Sequence, residues 1–263
     1  MVKLSEHKGG RFVKFIYIGD SGTGKTGSLA SLALAGYKLR VLDMDNGLSS
    51  LREYIAKDDP AKLELVDYET RRDKYKSGPG GPVIAGQPRA YVEATKLMTQ
   101  WSDGTIPAEW GEDTIFVLDS LTHFSNAAFE WAKGMNPLSR EPRQWYSQAQ
   151  KSIETVLALL TSEAFEANVV VISHVKYIEQ NGVLKGVANS IGQALGPIIP
   201  SYFNTMMLAE MAGSGKNVRR VIKTRPTNLI ALKNPAPFKV QDTYPLETGM
   251  IELFNKLKTG EKS

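Results

Sequence analysis

The chain has 263 residues, 42% of them hydrophobic, and 32 Lys and Arg against 28 Asp and Glu give it a formal charge of +4. That length and apolar content can bury a full core and favour one large α/β domain over residues 1–263. The absence of cysteine excludes disulfides and thiolate chemistry, and three histidines (His7, His123 and His174) supply little for a metal cluster. No apolar run approaches the roughly 18 residues of a membrane helix, and MVKLSEHKGG lacks an apolar signal region, so a soluble, cytoplasmic protein with no membrane partner is expected.

The first predicted strand is 12–18 (FVKFIYI), β-branched and aromatic. It runs into YIGDSGTGKTGSLA, which places Gly19, Gly24, Lys25 and Thr26 in the spacing G-x-x-x-x-G-K-T. Gly19, Gly22 and Gly24 allow backbone angles that turn successive N–H groups inward, so Gly19, Asp20, Ser21, Gly22, Thr23, Gly24, Lys25, Thr26 and Gly27 form a cradle for phosphate oxygens. Lys25 reaches the β and γ phosphates, and the Thr26 hydroxyl ligates Mg²⁺. The predicted helix 26–35 points its positive end at the anion. ATP with Mg²⁺ is the expected cofactor, and no other metal is expected.

Next comes strand 39–44 (LRVLDM), then 63–68 (LELVDY). Residues 71–89 (RRDKYKSGPGGPVIAGQPR), dense in Gly, Pro and basic residues, read as an extended surface loop. Tyr91, Ala94, Leu97, Met98 and Trp101 share a helical face, and 114–118 (TIFVL) is a short apolar strand ending at Asp119. Trp145, Ala149, Ile153, Val156, Leu157 and Leu160 mark a long amphipathic helix before the buried strand 169–173 (VVVIS). Beyond His174 the pattern changes to hairpins, with a turn at Asn181-Gly182 and strands at 204–209 and 218–224. Apolar strands alternating with helices imply a mostly parallel sheet covered on both faces, with antiparallel hairpin strands toward the C-terminus. Residues 213–240 hold seven Lys or Arg and no Asp or Glu, which suits either a phosphate-rich partner or a solvated basic face.

The phosphate loop alone does not separate kinases, GTPases, helicases and recombinases. Asp119, at the end of TIFVLD, stands where a Walker B aspartate holds Mg²⁺, although an aspartate there also caps helices. Ser120 follows it, so a glutamate base is not available at that place. Asp45, with Asp43 in support, is the favoured general base, and a turn-capping role for Asp45 stays open.

The order of phosphate loop, LDMDNGL, TIFVLDS, long helix, VVVISH and basic strands with LKNPAPFK resembles the ATPase core of the RecA recombinase superfamily over about 12–245. It is most similar to the compact phage RecA-like nucleotide-binding proteins of the AAA-family ATPase group, of the Sak single-strand annealing type. The resemblance implies a RecA-like P-loop NTPase fold and a catalytic carboxylate at Asp45, where the family has glutamate. It also implies a γ-phosphate sensor at His174. Two DNA-binding loops are implied, at 134–143 and about 176–201, with Arg140, Arg143, Lys176 and Lys185 for phosphates and Tyr177 for base stacking. Lys233 is implied to act across a subunit interface on a neighbour's γ-phosphate, although the second basic residue of that pattern is Pro235 here. Only eleven residues precede the first predicted strand, too few for the oligomerisation arm of full recombinases.

The leading expectation is therefore a Mg²⁺-dependent, DNA-stimulated ATPase of a phage-type system that binds single-stranded DNA and promotes annealing or recombination. It would act as a homo-oligomer, ring or filament, with interfacial ATP and a single-strand DNA-binding protein as a further partner. A RecA-fold helicase or helicase loader is the alternative. A small-molecule P-loop kinase would need 71–89 as its lid.

Overall fold

The computed structural model describes residues 11–139, 141–180 and 182–258. In chain order the first half holds β1 (Lys14–Gly19), α1 (Lys25–Ser28), α2 (Ala30–Leu34), β2 (Lys38–Asp43), α3 (Leu48–Asp58), β3 (Val66–Thr70), β4 (Tyr75–Gly78), β5 (Gly81–Ile84) and α4 (Ala90–Thr99). Then come β6 (Thr114–Asp119), α5 (Leu121–Met135), α6 (Pro142–Thr161), β7 (Asn168–Gln180), β8 (Val183–Ala188), β9 (Thr205–Ala212), β10 (Arg219–Lys223), β11 (Thr243–Pro245) and α7 (Leu246–Leu257).

The main sheet runs in the order β11-β10-β9-β1-β7-β6-β2-β3, with β8 paired to β7. From β9 to β3 every neighbouring pair is parallel, whereas β10 and β11 add antiparallel at one edge. Side chains alternate across the pleat. Ile16, Ile18, Phe116, Leu118, Val169 and Val171 join the core under α4, α5 and α6. Phe15, Tyr17, Ile115, Val117, Val170 and Ile172 join the opposite core with residues of α2, α3 and α7. A strand buried on both faces must be apolar throughout, which is why β1, β6 and the first half of β7 carry so few polar residues.

Three expectations are corrected. Residues 71–89 are not an unstructured loop: β4 and β5 pair antiparallel within them, Tyr75 opposite Ile84. The strand expected at 169–173 continues to Gln180, and from Val175 it pairs antiparallel with β8 where the first part of the second DNA loop was expected. The first expected loop is mostly helical at its ends, since α5 runs to Met135 and α6 begins at Pro142. Asn181 of the expected turn lies outside the described residues, and its neighbour Gly182 has φ 74°, as such a turn requires. No helix among the described residues is long and apolar enough to cross a membrane.

Candidate nucleotide site

The parallel strands all deliver their last residues to one edge of the sheet. Gly19 lies opposite His174 in the β1–β7 pair, and Asp119 lies opposite Asp43 in the β6–β2 pair. Ligands of open α/β sheets bind outside this carboxyl edge.

The loop after β1 turns through Gly22 and Gly24 at φ 78° and 90°, a region where a side chain would be strained. Lys25 Nζ donates to the carbonyls of Gly19 at 2.9 Å and Asp20 at 2.8 Å. The Thr23 hydroxyl ties the same turn to Asp20 O at 2.8 Å. Burial lowers the Lys25 pKa, while Asp119, Asp45 and Asp20 oppose the shift. The ammonium is thus prepared for anionic oxygens, which would replace the two carbonyls.

Thr26 Oγ1 donates to Asp119 Oδ2 at 2.6 Å. Asp119 is fully buried, and burial raises its pKa first, with the charges of Asp45 and Asp43 adding to the effect. Among the described residues, Asp119 Oδ1 and Asp45 Oδ1 are buried without a hydrogen-bond partner. Such oxygens suit a hard divalent cation, so Thr26 and Asp119 fit Mg²⁺, with Asp45 Oδ1 facing the same space. A Cβ on Gly47 would stand 3.0 Å from Asp45 Oδ1, 3.2 Å from Thr26 Oγ1 and 3.6 Å from Asp119 Oδ2. Gly47 therefore keeps the space among these oxygens open.

Asp43 is committed elsewhere. Its carboxylate accepts from Arg72 Nη2 at 2.8 Å, Thr70 Oγ1 at 3.2 Å and the Asn46 amide at 2.8 Å. It fixes the turn that presents Asp45, whereas Asp45 keeps a carboxylate oxygen free toward the site.

His174 is half-buried and follows the buried part of β7, its backbone N–H donating to Thr122 Oγ1 at 3.1 Å. Burial and the nearby Lys25 charge lower its imidazole pKa. His123 approaches from the first turn of α5, with Nδ1 3.1 Å from Ser120 Oγ and 3.8 Å from Asp45 Oδ2.

Of the expected DNA contacts, Lys176 and Tyr177 lie on β7 and Lys185 on β8. Lys176 and Ile178 share a face, and Lys185 sits opposite Ile178, so the two lysines lie on one side of the hairpin and Tyr177 on the other. Lys176 Nζ reaches Gly192 O at 3.3 Å. Arg143 is exposed in the first turn of α6, and Arg140 lies outside the described residues.

Lys233 does not join the site within this chain. Its ammonium donates to the carbonyls of Pro200 at 2.9 Å and Phe203 at 2.6 Å. It lines a cavity of about 720 Å³ with Arg11 and Lys14. Lys14 opens β1 at the end opposite Gly19, so this cavity is remote from the phosphate loop. The basic segment is also partly neutralised: Lys223 pairs with Glu210 and Arg225 with Asp242, each at 2.5 Å.

Sequence reading missed Gly47, His123 as a partner of Asp45, and Arg72. It also missed Arg220, whose Cδ lies 3.1 Å from a Cβ built on Gly24 and whose Nη1 is 3.4 Å from Tyr54 Oη. Only the glycine in DMDNGL left a local signal. The other three depend on residues distant in the chain.

A family profile described as AAA domain matches residues 11–236, which include every strand end named above. The chain belongs to this AAA-domain family. The AAA-domain chain superposes on the crystal structure of the RadB recombinase with a TM-score of 0.51 and 17% identity, over 90% of its own length and 89% of the other. At that identity the likeness is one of fold, and it agrees with the expected RecA-like arrangement. FlaH, a flagellar accessory protein from Methanocaldococcus jannaschii, gives a TM-score of 0.46 at 11% identity over 94% and 92% of the two chains. A KaiC-like protein from Pyrococcus horikoshii OT3 gives 0.43 at 11% identity over 89% and 84%. None of the curated proteins compared with the AAA-domain chain matches it.

Proposed function

We propose that this chain is a Mg²⁺-dependent ATPase that binds single-stranded DNA and promotes annealing or recombination in a phage-type system, as a homo-oligomer with ATP between subunits. The observation that carries the reading is the continuity of β7. One strand runs from His174, opposite Gly19 of the phosphate loop, to the hairpin that bears Lys176, Tyr177 and Lys185.

In this reading Lys25 exchanges the Gly19 and Asp20 carbonyls for β- and γ-phosphate oxygens. Thr26 and Asp119 hold Mg²⁺, which supplies charge neutralisation on the phosphates when bound. Asp45, two residues past the end of β2 and with an uncommitted oxygen, accepts the proton of the attacking water. His174 is kept neutral by burial and Lys25, and offers a ring N–H to the γ-phosphate. DNA on the hairpin then bears on the same strand that holds the sensor, which is a direct route for coupling. Lys233 enters only from a neighbouring subunit, after releasing Pro200 and Phe203.

The test is ATP hydrolysis by the purified chain with and without single-stranded DNA. Stimulation by DNA, lost in His174→Ala while oligonucleotide binding persists, is the expected result. An ATPase rate indifferent to DNA, together with no salt-sensitive oligonucleotide binding, would overturn the reading in favour of a phosphotransferase.

A further inference from the structure

Two of the chain's three histidines converge on one carboxylate. His123 comes from α5 and His174 from β7, and one ligand atom from each lies with a carboxylate oxygen of Asp45 in a set whose members are all within 4.8 Å of one another. The two rings meet edge to face, with centroids 5.9 Å apart at 76°. They do not stack face to face, so a ring edge can turn toward the carboxylate. The two oxygens of Asp45 face different neighbours. Oδ1 borders the Gly47 space shared with Thr26 and Asp119, while Oδ2 is the atom 3.8 Å from His123 Nδ1.

We propose that Asp45, His123 and His174 form a binding site for a divalent transition-metal ion of the Zn²⁺ type, adjacent to and distinct from the oxygen-lined Mg²⁺ site, with the Asp45 carboxylate between the two. The donor types decide the class. Imidazole nitrogens select Zn²⁺, Co²⁺, Ni²⁺ or Cu²⁺ over Mg²⁺, and two histidines with one carboxylate form a donor set used by zinc sites that keep an open position. The Thr26 and Asp119 oxygens remain a hard-cation set.

Closure requires little movement. Tetrahedral ligands at about 2.0–2.1 Å from an ion stand about 3.4 Å apart, so no pair here has more than about 1.4 Å to close. His123 is the side chain free to move. It is 45% exposed, and its Nδ1 lies 3.1 Å from Ser120 Oγ and 3.8 Å from Asp45 Oδ2. The Lys25 charge opposes a second cation, but its ammonium is turned to the Gly19 and Asp20 carbonyls, and Asp119 and Asp45 lie nearby to offset it.

A metal ion at this place holds Asp45 Oδ2 and both imidazoles. On the ATPase reading above, nucleotide still binds but the base and sensor are withdrawn, so the ion acts as a brake on turnover. The site itself does not depend on that reading.

The test uses the full chain, freed of metals by chelation and without nucleotide, titrated with Co²⁺ and followed by visible ligand-field absorption. The expected result is saturation at a single Co²⁺ per chain, displacement by Zn²⁺ and no displacement by excess Mg²⁺. His123→Ala and His174→Ala should each weaken binding tenfold or more, and His7→Ala should leave it unchanged. His123→Gln and His174→Gln, checked by circular dichroism and melting, serve as shape-conserving versions should alanine disturb the fold. A parent chain without a saturable band, a band retained by the folded double glutamine variant, or a band lost in His7→Ala would each overturn the site. Metal binding with unslowed ATP turnover would keep the site and overturn Asp45 as the base.

Discussion

Replacing Gly47 with alanine separates the site's chemistry from its stability. Gly47 has φ −88° and ψ −5° at the start of α3, a negative φ that residues with a Cβ also adopt. The substitution therefore leaves the backbone unstrained. It restricts the unfolded chain, a gain of about 0.4–1 kcal/mol. Alanine's weaker preference for a helix N-cap offsets that gain by a similar amount, so net stability should change by no more than about 1 kcal/mol. Function should not be spared. The new methyl carbon would stand 3.0, 3.2 and 3.6 Å from Asp45 Oδ1, Thr26 Oγ1 and Asp119 Oδ2, the first two inside the 3.4 Å at which ordinary contact begins. Mg²⁺ demands near-ideal octahedral geometry at about 2.0–2.1 Å and usually keeps several waters, so it tolerates such crowding poorly. Disturbing groups around a metal site commonly costs about 10–100-fold in affinity or activity. The assay is ATP turnover against Mg²⁺ concentration, with thermal melting in parallel. An unchanged melt with at least a tenfold loss, only partly recovered at high Mg²⁺, is expected. Parent turnover with parent Mg²⁺ dependence would refute the placement of the ion among these oxygens.

Asp45→Asn should bind ATP and melt like the parent while turnover falls about 10²-fold or more. Asp43→Asn should mainly lower stability, by about 1–3 kcal/mol, through its bonds to Arg72, Thr70 and Asn46. A larger kinetic than thermal effect at Asp43 would reverse these roles. Oligonucleotide affinity should fall steeply with salt. Lys176→Ala with Lys185→Ala should lower the slope by about 1.4, at about 0.7 per phosphate contact, and an unchanged slope would remove the hairpin from the DNA surface. Lys57→Ala with Lys62→Ala, outside both expected loops, serves as the control and should change nothing. Burial holds Lys14 at about 8 against an ordinary 10.5, so the unfolded chain binds more protons between those values and the parent should gain stability as pH rises through them. Melting profiles of parent and Lys14→Met should diverge over that window, and parallel profiles would contradict the shift.

The core strands were legible because burial on both faces leaves only apolar residues, as in FIYIG and TIFVLD. The phosphate loop was legible because its glycines and Lys25 stand at fixed spacing. The outer half of β7 was not. In KYIEQ only one neighbour, β8, pairs with the strand, and its alternating polar residues carry no buried-strand signal. The β4–β5 hairpin was hidden by glycine and proline, which mark loops and tight hairpin turns alike. The meeting of His123 with Asp45 and His174 comes from the β2-β6-β7 order, which no local pattern states.

The two halves of β7 also differ in mechanical footing. Through His174 the strand is hydrogen-bonded within the sheet and pinned by Thr122 of α5, and from Val175 onward it is held on one flank by β8. It is a propped beam, clamped at the edge that carries the phosphate loop, with an arm of six residues from Val175 to Gln180, about 20 Å at roughly 3.3 Å per residue, propped through β8 where Gly186, opposite Tyr177, bridges to Ile230. Bending should concentrate beyond that support. A load on the tip of the hairpin would therefore act with its greatest leverage at the Tyr177–Gly186 pair, three residues from His174, while amide exchange should quicken from Ile178 onward and stay slow before it.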